Sequence, residues 1–72
     1  MTITVNGDRK EWPDGSTVAD VLDDYLAAGR TGGAVPGVAV AVNGEVVNRN
    51  EWDKRKLDDD DRVEVLAAIG GG

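Results

Sequence analysis

A chain of 72 residues with no cysteine and no histidine leaves few groups able to do chemistry. Thiol nucleophiles, disulfides, Fe–S clusters, haem, the usual zinc sites and a histidine general base are all excluded. Serine occurs once, at Ser16. Asp58 to Asp61 are four adjacent carboxylates and invite a metal. They have neither the glycine that bends a calcium loop nor the EF-hand ligand spacing, so a solvated turn before a strand is expected. Residues 29–37, Gly-Arg-Thr-Gly-Gly-Ala-Val-Pro-Gly, are rich enough in glycine to suggest a phosphate cradle. The segment does not lead from a strand into a helix, and no Gly-Lys-Ser/Thr follows, so a mobile surface connection is expected instead. The side chains assemble no conventional active site, and no catalytic residue, metal or bound cofactor is expected.

One group remains. The sequence closes on Ala67-Ala68-Ile69-Gly70-Gly71-Gly72, and after Ile69 it carries no side chains. Packing cannot hold such a run, which should project from the strand before it. It reads either as a disordered, inert extension or as a tail that delivers the Gly72 α-carboxylate into a narrow partner cleft, where no Cβ stands in the way. A carboxylate is a poor electrophile. ATP could activate it as an acyl-adenylate, and a sulfur nucleophile could then convert it to a thiocarboxylate. On that reading the protein is a carrier and not an enzyme, Gly72 is the sulfur-carrying terminus, and Gly70 and Gly71 are its approach.

Charge narrows the partners. Eight Lys and Arg against 14 Asp and Glu give a formal net charge of −6. This argues against a nucleic-acid backbone or an anionic membrane and suits a basic protein partner. No apolar run is long enough to span a bilayer, and Met1-Thr2-Ile3-Thr4 lacks the basic and apolar regions of a signal peptide. A cytoplasmic protein, monomeric when alone, is the default expectation.

The elements that must position the tail are short and readable. Met1 to Val5 alternates, with Met1, Ile3 and Val5 on one face, as a half-buried strand does. Asn6-Gly7 tolerates the positive φ of a type I′ turn, and Asp8 to Trp12 returns. That register sets Trp12 opposite Met1 and Lys10 opposite Ile3. Lys10 then sits on the buried side, which it tolerates only if its stem covers the core edge and its ammonium reaches water. Pro13 to Ser16 is a turn. Thr17-Val18-Ala19-Asp20 resembles a capping box with Asp in the third helical position. Val18, Val21, Leu22, Tyr25 and Leu26 make one apolar helical stripe, which Gly29 should end.

After the glycine-rich loop, Val38, Val40 and Val42 should face the core, with Ala39 and Ala41 forming a flat outer surface. Asn43-Gly44 is a second turn and Glu45 to Val47 returns. Trp52 and Leu57 should anchor the polar crossover that follows. Arg62 to Ile69 is the last strand, with Val63, Val65 and Ala67 on one face and Glu64, Leu66 and Ala68 on the other. The order β-β-α-β-β-β, with one striped helix, implies an α+β domain in which a mixed sheet packs on the helix. The first and last strands should run parallel at its centre, joined through the helix. This is the β-grasp, or ubiquitin-like, arrangement, with residues 1–69 as the body and 70–72 as a flexible tail. Outward-facing Leu66 and Ala68, with Ala39 and Ala41, form a candidate docking patch.

Over nearly its whole length the chain resembles the sulfur carrier proteins of thiamine biosynthesis, which are ubiquitin-like. The resemblance rests on the opening strand with Asn6-Gly7, Gly15-Ser16-Thr17-Val18 leading to Leu22, and the run from Val40 to Val47. Arg49, Trp52, Asp61 to Val65 and the terminal Gly71-Gly72 complete it. Asp58 to Asp61 stands where the family often has an Asp-Gly-Asp turn, Asn48 where it often has proline, and the 29–37 loop is longer than usual. The resemblance implies that an E1-like adenylyltransferase uses ATP to adenylate Gly72. A sulfur relay from a cysteine desulfurase then makes the thiocarboxylate, and thiazole synthase takes up the sulfur. Two other functions share a terminal Gly-Gly: the related carrier of molybdopterin synthesis and a ubiquitin-like modifier joined to lysines. The former proteins are usually richer in phenylalanine, which is absent here.

Overall fold

The computed structural model describes residues 1–28 and 37–68, with the side chains of Ala67 and Ala68 excepted. Its elements are β1 (Thr2–Val5), β2 (Asp8–Glu11), α1 (Val18–Ala27), β3 (Gly37–Val42), β4 (Glu45–Val47), a 3₁₀ turn (Arg49–Glu51) and β5 (Arg62–Ala68). The five strands form one sheet in the order β2-β1-β5-β3-β4. β5 is therefore central, parallel to β1 and antiparallel to β3.

Local chemistry explains most of this. Asn6 and Gly7 have φ of 48° and 89°, and Asn43 and Gly44 have 52° and 85°. Both pairs thus take the left-handed conformations that a two-residue hairpin turn demands. The first hairpin pairs Thr2 with Glu11 and Val5 with Asp8. Met1 and Trp12 exchange bonds just beyond it, Trp12 N donating to Met1 O at 2.8 Å and Met1 N to Trp12 O at 2.9 Å. Lys10 meets the condition set for it. Its side chain is exposed, with Nζ 5.3 Å from the centre of the Trp12 ring and 3.4 Å from Asp24 Oδ2.

The helix starts as its sequence requires. Thr17 Oγ1 accepts from Asp20 N, and Asp20 Oδ2 accepts from Thr17 N, a reciprocal capping box. Two further amide donors of the first turn are taken by the crossover: Val18 N donates to Arg55 O and Ala19 N to Trp52 O. Val18, Val21 and Leu22 are buried, and Tyr25 and Leu26 pack on the core margin. Ala28 caps the helix C-terminus. Gly29, expected to end the helix, lies outside the described residues.

Ile3, Val40, Val42, Val47, Val63 and Val65 supply the sheet side of the core, and Leu57 closes it from the crossover. Trp52 is half-buried against this cluster, and its Nε1 donates to Val47 O at 2.9 Å. Both expected anchors are thus in place. Gly37, assigned to the loop by composition, is instead the first residue of β3, paired with Ala68.

Candidate functional site

β5 is the element that carries the tail, and three sets of contacts define its course. On one side it pairs with β3 through six residues, from Val42–Val63 to Gly37–Ala68. On the other, β1 reaches only Arg62 and Val63, opposite Thr4 and Val5. Where β1 stops, a side chain continues the ladder. Asn6 Oδ1 accepts from Val65 N at 2.8 Å, and Asn6 Nδ2 donates to Val65 O at 3.1 Å and to the Tyr25 hydroxyl at 3.0 Å. At the other end of the strand Asn43 plays a matching part. Its Oδ1 accepts from Arg62 N and its Nδ2 donates to Asp61 Oδ1, both at 2.9 Å, while its backbone N donates to Arg62 O at 2.8 Å. Sequence reasoning treats both asparagines as turn formers. Their grip on the last strand has no local signature.

The outer face of β5 bears Glu64 and Leu66, both exposed. Leu66 is 66% exposed and lies opposite Ala39, which is exposed too. Ala41 lies between Glu64 of β5 and Val46 of β4. Val46 is 73% exposed and belongs to the same face, an addition to the residues expected from sequence. Leu66, Ala39, Ala41 and Val46 thus share one apolar strip on the outer face. The side chain of Ala68 lies outside the described residues, as do Gly70, Gly71 and Gly72.

Ser16 and the aspartate-rich turn at 58–61, which invite chemistry in the sequence, make structural contacts instead. The Ser16 hydroxyl donates to Pro13 O at 2.7 Å, a turn contact. The aspartates of the 58–61 turn accept backbone and side-chain donors: Asp59 Oδ1 from Thr2 N at 2.7 Å, Asp61 Oδ2 from Asp58 N at 2.8 Å, and Asp61 Oδ1 from Asn43 Nδ2. Asp60 adopts φ of 73°, the conformation a glycine would take without strain. That explains how the turn forms with no glycine in it. Among the described residues no group of three or more carboxylates is placed to hold a metal ion. Nor is any described helix long and apolar enough to cross a membrane.

The architecture is that of a β-grasp, ubiquitin-like domain. The family model described as the ThiS family matches residues 3–72. The crystal structure of a thiamine biosynthesis protein (ThiS) from Geobacter metallireducens is 32% identical, with a TM-score of 0.75 and full coverage of both chains. A solution structure of a thiamine biosynthesis protein from the same organism, also 32% identical, superposes with a TM-score of 0.70 over all of this chain and 88% of that one. No match was found among curated protein sequences. The chain belongs to the ThiS family, the small sulfur carriers of thiamine biosynthesis that its sequence resembles.

Proposed function

We propose that this protein carries sulfur on the Gly72 α-carboxylate for thiazole formation. An E1-like adenylyltransferase joins that carboxylate to the AMP moiety of ATP with release of pyrophosphate. A persulfide charged by a cysteine desulfurase then displaces AMP to give an acyl disulfide, and attack of a partner thiol on its S–S bond releases the thiocarboxylate and leaves a disulfide on the sulfur donor. Thiazole synthase accepts the sulfur, and the carboxylate returns. ATP belongs to the activating partner, and the carrier binds no cofactor. Residues 1–69 are the docking body, 70–72 the tail that enters the partner, and the cytoplasm the place of work.

The observation that carries this reading is the family match running through the terminal glycines, together with a solved thiamine biosynthesis protein that aligns over the full extent of both chains. The chemistry is consistent with it. With no cysteine or histidine, and with the lone serine engaged in a turn, reactivity falls to the terminal carboxylate. The strip at Leu66, Ala39, Ala41 and Val46, with Ala68 further along β5, is where the adenylating partner docks. It is apolar, exposed at Leu66, Ala39 and Val46, and continuous with the strand that leads to Gly72.

The test is intact-mass spectrometry after incubation with the cognate adenylyltransferase, ATP and a sulfur source. A single oxygen-for-sulfur exchange, localised to the C-terminal peptide, is expected. Covalent adducts on target lysines would instead identify a modifier, and sulfur transfer only to a molybdopterin synthase the other pathway.

A further inference from the structure

We infer that Asn6 is a positioning residue for the tail: its carboxamide sets the direction in which the last strand leaves the sheet. The inference rests on the proposed carrier role of Gly72 and concerns how that group is presented. β5 is flanked on both sides only as far as Val63. From there to Ala68 strand pairing continues on the β3 side alone. A strand held along one edge keeps freedom to twist and splay about that edge. The Asn6 carboxamide removes part of this freedom. It makes both of the bonds to Val65 that two residues of a continuing parallel strand would have made, and its third bond ties the junction to Tyr25 on α1.

The position along the chain gives this contact leverage. Gly72 lies seven positions beyond Val65, each position a reach of up to about 3.5 Å. A small angular change at Val65 therefore moves the strand end at Ala68, the point from which the tail sets out, on a scale where about 1 Å already affects rates. Asn43 serves as the internal comparison. It also grips β5 through side-chain bonds and also occupies a turn at positive φ, but at the start of the strand, away from the tail. Loss of either grip removes hydrogen bonds. Only loss of the Asn6 grip broadens the exit direction.

The experiment compares N6G with N43G, since glycine keeps both turns free of strain. Adenylation kinetics are measured against carrier concentration. If the tail-competent fraction falls to about a third to a tenth, KM for the carrier rises about threefold to tenfold, with kcat little changed. N6G should show that split and N43G a wild-type KM. In the free proteins, backbone amide exchange at Leu66 and beyond should accelerate in N6G, by about tenfold for the worth of one lost hydrogen bond, and remain at the wild-type rate in N43G. A wild-type KM in N6G, or equal shifts in both variants, overturns the inference. Should the wild-type chain accept no adenylate at all, the carrier reading fails. The exchange comparison then decides by itself whether Asn6 orders the strand's end, and wild-type exchange in N6G overturns it.

Discussion

Leu66 of β5 lies directly across from Ala39 of β3 on the outer face of the sheet, the larger side chain exposed beside the smaller. The alanine leaves the leucine standing proud of the surface, with no neighbour tall enough to cover it from that side. Leu66→Asp should therefore leave the thermal midpoint close to that of the wild type while slowing adenylation. Unchanged adenylation kinetics in a folded L66D protein would remove this face from the docking surface.

Electrostatics should act on the same encounter. With a net charge of −6, association with a basic partner face is accelerated at long range, and salt screens that attraction over about 10 Å at 0.1 M. Raising ionic strength should lower the association rate measured by stopped flow more than it raises the dissociation rate.

Leu22 sits at the centre of the helix stripe and is 5% exposed. Leu22→Ala should cost about 2–5 kcal/mol in chemical denaturation. For a domain this small that is a large share of the total stability.

The capping box can be probed separately. Thr17→Ala removes the acceptor for Asp20 N but leaves the crossover bonds to Val18 N and Ala19 N. A loss of about 0.5–2 kcal/mol is expected. A loss near zero would mean that the crossover alone holds the helix start.

Deleting Gly72 should abolish sulfur acquisition without lowering stability. It draws the carboxylate back by up to about 3.5 Å, well beyond the tolerance of a positioned reaction. Extending the chain past Gly72 should have the same effect. Intact mass and a thermal melt on the same samples check both halves. Sulfur carried by either variant would refute the terminal-carboxylate mechanism.

Much of this protein follows from short-range rules. Asn-Gly pairs accept positive φ within two residues, so both hairpins and their register are legible from sequence. Period-two valines and one helical stripe divide inside from outside, which by itself places Leu66, Ala39 and Ala41 on the outer face. Residue types alone leave the glycine tail as the one group worth chemical attention. What the sequence could not express are relations across the chain. Asn6 grips Val65, and Asn43 grips Arg62, because the parallel pairing of β1 with β5 and the antiparallel pairing of β3 with β5 bring those backbones beside the turns. Asp60 accepts a left-handed backbone because its neighbours on both sides are already fixed, with Thr2 bonded to the turn at Asp59 and Asp60. Val46 is exposed because it faces outward on an edge strand, a fact of strand order. Local φ/ψ preference and periodicity act over a few residues and are written in the sequence. The partners of a side-chain amide are settled only when strands distant in the chain are assembled side by side.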